Sequence, residues 1–107
     1  MNWLVEVLND IVRGEIRALP ADLRARFVRL GERISQVGLE SMREPHVKHL
    51  KDKLWEMRMT GRDGIARALY VTATGRRVIV VRVFVKKTQK TPDSEINLAL
   101  ERAKEVQ

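Results

Sequence analysis

Three lysines stand close together near the end of the chain, in the segment Lys86-Lys87-Thr88-Gln89-Lys90-Thr91. Ammonium groups on so short a tether create a local positive field that phosphates would neutralise. Crowding of like charges also favours the neutral amine of a lysine, the form that accepts a proton. The segment is therefore a candidate for phosphate chemistry. The competing interpretation is a solvated surface cluster.

Three arginines lie inside segments that have the alternating, β-branched composition of strands, at residues 54–60, 65–73 and 77–85: they are Arg58, Arg67 and Arg82. An arginine keeps its charge at any ordinary pH, so it cannot be buried unpaired at low cost. Because alternate residues of a strand share a face, we expect all three on one open face, with the other face packed on helices. The alternative is that each pairs with a nearby carboxylate, namely Asp52, Glu56 or Asp63.

A second basic cluster, predicted as a loop, precedes the first of these strands and contains His46, Lys48, His49, Lys51 and Lys53. Histidine titrates near neutral pH and suits proton transfer, although a loop histidine is more often a bystander. Nearby aromatic residues have two interpretations. Trp55 is predicted in the core rather than as a base-stacking platform, whereas Tyr70 fits either a core or a catalytic position. An aromatic content of 5% argues against a single-strand binder that relies on stacking.

The net charge of +7 is concentrated in one stretch. Residues 45–91 hold twelve basic and three acidic side chains, whereas residues 1–44 are balanced and residues 92–107 are slightly acidic. Such a basic stretch is suited to a polyanion, most plausibly RNA; a membrane surface, an acidic protein or a merely solubilising surface are the alternatives.

Length and composition exclude several classes of protein. A chain of 107 residues corresponds to one domain, residues 1–107. There is no cysteine and there are two histidines, so we expect neither a metal nor another cofactor. The longest apolar run, residues 78–85, is interrupted by Arg82 and is too short for a membrane span. The N-terminus lacks the features of a secretion signal, and a cytoplasmic location is expected.

The elements that would position these residues follow from the hydrophobic period. Residues 3–8 alternate loosely and predict an edge strand; residues 10–19 predict a helix that Pro20 ends. A second helix from Ala21 is predicted to stop at Gly38, and Thr74-Gly75 is predicted to make a tight hairpin. The strand at residues 78–85 should be the most buried. Thr91-Pro92 is typical of the cap and first position of a C-terminal helix. The predicted class is α+β: an N-terminal strand, two helices, an antiparallel meander and a closing helix.

Several segments together resemble a known family. They are Lys53-Leu54-Trp55-Glu56-Met57-Arg58, Arg67-Ala68-Leu69-Tyr70, and Phe84-Val85-Lys86-Lys87-Thr88-Gln89-Lys90-Thr91-Pro92 with Glu95-Ile96 and Ala99. In order and spacing, over almost the whole chain, they resemble the HigB-like, phage-derived branch of the RelE/ParE toxin superfamily. The resemblance implies a RelE-like fold and a type II toxin–antitoxin module. It also implies ribosome-dependent, metal-independent cleavage of mRNA, and a hetero-oligomer with a cognate antitoxin that often carries a helix-turn-helix.

The resemblance also implies roles for individual residues. Arg67 matches a strand arginine that contacts the scissile phosphate, and Lys86 and Lys87 match basic residues after the last strand. The chain departs from RelE at Leu54 and Glu56, where RelE has lysines, and it lacks a tyrosine in the C-terminal segment. The general base and acid therefore cannot be copied. The predicted catalytic set is Arg58, Arg67, Tyr70, Lys86 and Lys87, and the predicted RNA-binding set is Lys48, His49, Lys51, Lys53, Arg82 and Lys90.

Two other functions remain open from the sequence. A ParE-like gyrase poison would share the fold without cutting nucleic acid, and a nucleic-acid-binding module would lack catalysis altogether. Whether the chain is an mRNA-cleaving toxin or a gyrase poison, we expect its antitoxin to cover the basic face with an acidic segment, or to dock a helix near the first two helices.

Overall fold

A computed structural model describes residues 2–42, 46–62 and 64–106 of the chain. The described residues form five strands and three α-helices, in this order: β1 (Leu4–Val7), α1 (Asp10–Arg17), α2 (Ala21–Val37), β2 (Val47–Lys51), β3 (Leu54–Gly61), β4 (Gly64–Ala73), β5 (Arg77–Val85) and α3 (Asp93–Ala103). A short 3₁₀ turn, Leu39–Ser41, follows α2. The strands form one sheet in the order β1-β5-β4-β3-β2. The predicted α+β architecture is confirmed.

Local capping explains where the first two helices begin and end. The side chain of Asn9 accepts a hydrogen bond from the backbone of Val12 and caps α1. Helix α2 ends at Gly38, whose φ of 89° lies in the left-handed region that favours glycine. A Cβ atom there would also crowd the carboxylate of Glu40. The predicted stop of the second helix is therefore confirmed.

The sheet is mixed rather than purely antiparallel. Strands β2 to β5 form the antiparallel part, and β1 joins the far edge in parallel with β5. The edge strand predicted near the N-terminus is thus confirmed. The loop predicted before the first meander strand is wrong, because Val47–Lys51 is itself an edge strand. A register shift between His49 and Lys51 interrupts its alternation and hides the strand period in the sequence.

Both faces of the sheet carry a core. Helices α1 and α2 cover one face, where Leu23, Ile34 and Tyr70 are buried. Helix α3 covers part of the other face, where Ala99 packs with Leu69. Central strand β4 has the longest unbroken buried run, residues 66–71, so the prediction that residues 78–85 are the most buried is wrong. The end of β5 extends past α3 and remains partly exposed.

Two connections differ from their predictions. The hairpin between β4 and β5 is a three-residue turn, Thr74-Gly75-Arg76, in which both Gly75 and Arg76 have positive φ. Pro92, not Thr91, occupies the N-cap of α3, and no side chain of the described residues caps that helix. Pro45 and Asp63, which belong to the predicted basic stretch, lie outside the described residues.

With at most 17 residues and a polar outer face, none of the helices found in residues 2–42, 46–62 and 64–106 could cross a bilayer.

Candidate nucleic-acid interface

Two rows of side chains cross the sheet on the face that α3 partly covers. Strand register places Arg58, Arg67 and Phe84 opposite one another in one row. The neighbouring row contains Lys48, Glu56, Leu69 and Arg82. The three arginines therefore share a face, as predicted. The face is not open, however, because α3 covers one part of it and residues 86–91 cover another.

Arg67 is buried beneath this cover. Its side chain is 1% exposed, and its Nε lies 3.4 Å from Oε1 of Glu56, which is also buried. Oε2 of the same carboxylate lies 3.7 Å from Nη2 of Arg58. Like charges directly opposite each other on adjacent strands repel, so Glu56 offsets the repulsion between Arg58 and Arg67. Burial, opposed by Glu56 and reinforced by Arg58, lowers the pKa of Arg67.

Residues 86–91, the lysine loop, are held against the sheet by this buried pair. Arg67 Nη2 donates a hydrogen bond of 2.6 Å to the carbonyl oxygen of Gln89. The hydroxyl of Thr91, another buried polar group, donates to the carboxylate of Glu56. At the start of the loop, the backbone N–H of Lys86 donates to the carbonyl of Ile65. Thr91 thus anchors the loop rather than capping the helix, which corrects its predicted role.

The lysines of the loop face outward from these anchors. Lys87 and Lys90 are exposed and Lys86 is half-buried. Within the described part of the chain, none of the three forms an ion pair. The buried charges of Glu56 and Arg67 therefore position a loop whose own charges are left available to an anion.

A cleft of about 440 Å³ opens between the lysine loop, the end of β5 and the start of α3. Its lining residues are Arg82, Phe84, Val85, Lys87, Thr88, Pro92 and Glu95. Phe84 contributes a half-buried aromatic ring to the cleft, with the guanidinium carbon of Arg82 5.5 Å from the ring centroid, and Lys87 lines the same cleft. An aromatic ring together with a cation suits a nucleotide. In the sequence Phe84 is part of a motif, and its alternation with Arg82 is the signal that places both residues on this face.

Comparison with known protein families shows to which family the chain belongs. The family described as "Phage derived protein Gp49-like (DUF891)" matches residues 14–104, which include the sheet from β2 to β5, the lysine loop and α3. The chain belongs to this family. No curated protein matches the sequence of this Gp49-like chain.

A solved structure has a similar fold. It is a chain of the archaeal RelE–RelB complex from Pyrococcus horikoshii OT3, with a TM-score of 0.59 and 19% sequence identity. The alignment covers 79% of the Gp49-like chain and 96% of the archaeal chain. The predicted RelE-like fold is thereby confirmed.

Arg82, predicted to bind RNA from an open face, is engaged inside the Gp49-like fold. Its Nε and Nη2 donate two parallel hydrogen bonds to Glu95 of α3, at 2.7 and 3.0 Å. Its Nη1 lies 2.9 Å from Glu15 of α1. The hydrogen bond to Glu95 is the main cause that raises the pKa of Arg82. Two carboxylates pair with this arginine, one of which, Glu15, also pairs with Arg102, so the prediction of an open arginine is wrong at Arg82.

Tyr70 lies on the opposite side of the sheet from the lysine loop. Strand register pairs it with Trp55, and it is 1% exposed in the core under α2. Burial raises the pKa of its phenol above the usual range. The sheet separates its hydroxyl from Lys87, so the structure does not bring Tyr70 together with the lysine loop. Trp55, predicted in the core, is 38% exposed.

The basic residues of β2 lie away from the lysine loop as well. Three strand spacings, about 14 Å, separate β2 from β5. His49 Nε2 is 2.6 Å from the carbonyl oxygen of Asp52, and its ring meets Trp55 edge-on at 5.0 Å. Lys51 and Lys53 flank the turn between β2 and β3, at the end of the sheet opposite the lysine loop. The predicted RNA-binding set is thus divided between two places.

Among the described residues, no group of three or more histidine and carboxylate side chains is placed to hold a metal ion.

Proposed function

We propose that this chain is a HigB-like toxin of a type II toxin–antitoxin module, which cleaves mRNA on the ribosome without a metal ion. The observation that carries the proposal is the lysine loop, whose three lysines form no ion pair within the described residues and whose Lys87 lines a cleft that also contains an aromatic ring. The fold of a chain from a RelE–RelB complex supports the toxin assignment. A ribosome-directed toxin would act in the cytoplasm.

The cleavage that this geometry supports uses the RNA's own nucleophile. The ribose 2′-oxygen attacks the adjacent phosphorus, and its proton passes to a general base, a role that we assign to the amine of Lys87 on the cleft wall. The bond from phosphorus to the 5′-oxygen breaks, and a protonated lysine of the same loop gives the leaving oxygen its proton. The products are a 2′,3′-cyclic phosphate and a free 5′-hydroxyl. General acid–base help of this kind contributes about 10²–10⁴-fold.

Positive charge around the phosphate supplies the rest of the catalysis. Phe84 is proposed to stack on a base, while Lys86 and Lys90 offset the charge that develops on the phosphate oxygens. Arg58, which is partly exposed in the same row as Phe84, is proposed to bind a neighbouring phosphate. Arg67 is proposed to act through the loop, because its side chain is 1% exposed and its Nη2 already donates to Gln89 of the loop.

An antitoxin is the partner that the proposal requires. We propose that it forms a hetero-oligomer with this chain and masks the lysine loop with an acidic segment, because opposite charge would speed association and block the cleft at once. The helix-turn-helix expected from the sequence would lie in the antitoxin.

The decisive experiment measures where mRNA breaks. Purified protein, ribosomes and a defined mRNA are incubated together, and primer extension reads the break points. We expect discrete breaks with the natural chain, none with Lys87→Ala, and undiminished breaks with Lys104→Ala, which removes an exposed lysine at the end of α3. Intact mRNA alongside DNA damage in expressing cells would refute the proposal in favour of gyrase poisoning. RNA binding with no cleavage by the natural chain would instead leave a binding module.

A further inference from the structure

Helix α2 carries a row of arginines on its outer face. Arg26, Arg29 and Arg33 follow one another at intervals of three and four residues, so they lie on one side of the helix and are all exposed. Between this side of α2 and the end of β3 is a cavity of about 460 Å³. Its lining residues are Arg26, Arg29, Leu30, Arg33, His46, Arg58, Met59 and Thr60.

The cavity has no internal source of negative charge among the described residues. Five of its eight lining residues are arginine or histidine, and none is a carboxylate. Arg26, Arg29 and Arg33 form no ion pair or side-chain hydrogen bond within residues 2–42, 46–62 and 64–106. Arg24, on the same helix but outside the cavity, donates instead to the carbonyl of Arg17. Three unpaired guanidinium groups around one space repel each other unless an anion enters it.

Arg58 connects this cavity to the lysine loop. Within the described part of the chain, its Nε is buried without a hydrogen-bond partner, and the carboxylate nearest to it is that of Glu56, at 3.7 Å from Nη2. Directly across the strand pair lies Arg67, which holds the lysine loop through Gln89. Arg58 therefore lines the α2 cavity and at the same time lies opposite the arginine that holds the lysine loop.

We propose that the α2 cavity is a second RNA-binding site, which holds backbone phosphates of RNA outside the cleft where cleavage occurs. The inference rests on the proposed function and extends it. Arg26 and Arg33 are seven residues apart, about 10 Å along the helix axis, so the row spans more than one phosphate. The planar fork of a guanidinium group matches two phosphate oxygens at once.

An acidic protein segment fits the cavity less well than RNA. Protein interfaces have an apolar centre with charged residues at the rim. Here the lining offers only Leu30 and the buried Met59 as apolar residues, beside four arginines and one histidine. Phosphates need no such apolar anchor, because the release of counterions drives their binding.

The test compares two triple variants, each of which removes three positive charges. The site variant is Arg26→Gln, Arg29→Gln, Arg33→Gln, and the control is Arg13→Gln, Arg17→Gln, Lys104→Gln, in exposed positions away from the cavity. Glutamine has a helix propensity close to that of arginine, and circular dichroism checks that both variants remain folded. Fluorescence anisotropy measures the binding of a labelled single-stranded RNA over a range of salt concentrations.

We expect the site variant to bind RNA at least ten-fold more weakly than the control at low salt. Its plot of log binding constant against log salt should be shallower by about 0.7 for each phosphate that the variant no longer neutralises. Affinity and slope equal to those of the control would overturn the inference. So would unchanged RNA binding combined with abolished binding of poly-glutamate, the probe for an acidic protein partner.

Two further measurements separate the sources of RNA and the two proposals. If the site variant co-sediments less with empty ribosomes than the control does, the phosphates belong to ribosomal RNA. If only its binding of free mRNA is weakened, they belong to the messenger. Either result supports the site. A natural chain that binds RNA through the α2 row but cleaves no mRNA would remove the proposed function and keep this inference. Normal cleavage by the natural chain, together with a site variant that binds RNA and ribosomes as the control does, would keep the proposed function and remove this inference.

Discussion

Replacing Glu56 with glutamine removes the negative charge between Arg58 and Arg67 while it keeps the length and shape of the side chain. Arg67 is 1% exposed, so water cannot take the place of the missing carboxylate. Breaking a buried ion pair by removing one partner costs about 3–5 kcal/mol. That is a large share of the total stability of a small domain, about 5–15 kcal/mol. We therefore expect Glu56→Gln to be among the most destabilising conservative changes in the chain.

A matched control exists on the same face of the sheet. Glu95→Gln also removes a carboxylate from an arginine, but Arg82 keeps Glu15 as a second partner. Glu95 is also more exposed than Glu56, so the expected cost is only about 1–2 kcal/mol. The double variant Glu56→Gln, Arg67→Met removes both buried charges. It should recover part of the stability, because no uncompensated charge remains in the interior.

Urea unfolding followed by tryptophan fluorescence measures these free energies. The second readout is amide hydrogen exchange, which should accelerate in the lysine loop of Glu56→Gln, since the charge that holds Thr91 is gone. The reasoning fails if Glu56→Gln costs no more than Glu95→Gln, or if the double variant is less stable than Glu56→Gln alone. Either result would mean that water or another group compensates Arg67.

Three further predictions concern the cleft, the core and the backbone. Lys87→Ala should lower the rate of mRNA cleavage by about 10²–10⁴-fold in single-turnover assays, with an unchanged unfolding midpoint. Tyr70 is the only tyrosine, so the change in near-ultraviolet absorbance that accompanies tyrosinate formation reports its ionisation alone. Because burial raises its pKa, the stability it contributes is complete below pH ~10 and is lost as pH rises through the raised value. Tyr70→Phe should therefore lose stability less steeply than the natural chain as the pH rises above ~10, the pKa of an unfolded tyrosine. It should still cleave mRNA. Gly14→Ala, with open space around it in α1, should stabilise the fold by about 1 kcal/mol in urea unfolding, whereas Gly61→Ala should destabilise it because its Cβ would collide with Asp22.

Strong periodicity made most of the fold predictable. The apolar stripe of α2 and the alternation of β3, β4 and β5 specify those elements without any tertiary information. Strand β2 escaped prediction because His49, Lys51 and a register shift leave only Val47 and Leu50 as apolar signals. The parallel pairing of β1 with β5 escaped as well, since a strand's own sequence does not specify its partner at the far edge of a sheet.

The candidate site was predictable only in part, because its geometry depends on strand register. Alternation placed Arg58, Arg67 and Arg82 on one face, and register confirms this. Proximity in sequence made Glu56 one of several candidate partners, but only the pairing of β3 with β4 brings it against Arg67. The partners of Arg82 come from α1 and α3, which no local pattern could connect to it.

Positive charge that is continuous in sequence is therefore divided in space. Of the basic side chains in residues 45–91, Arg67 and Arg82 are neutralised by carboxylates, so neither adds an uncompensated charge to the surface. The lysine loop provides a positive electrostatic field at one end of β5. Arg67 holds this loop in place and is not proposed to contact the anion itself. The arginines of α2, from a segment with no net charge, contribute a second basic surface that the charge profile alone conceals. A substrate long enough to meet both surfaces would be bound by residues that are far apart in the sequence, with Arg58 between them.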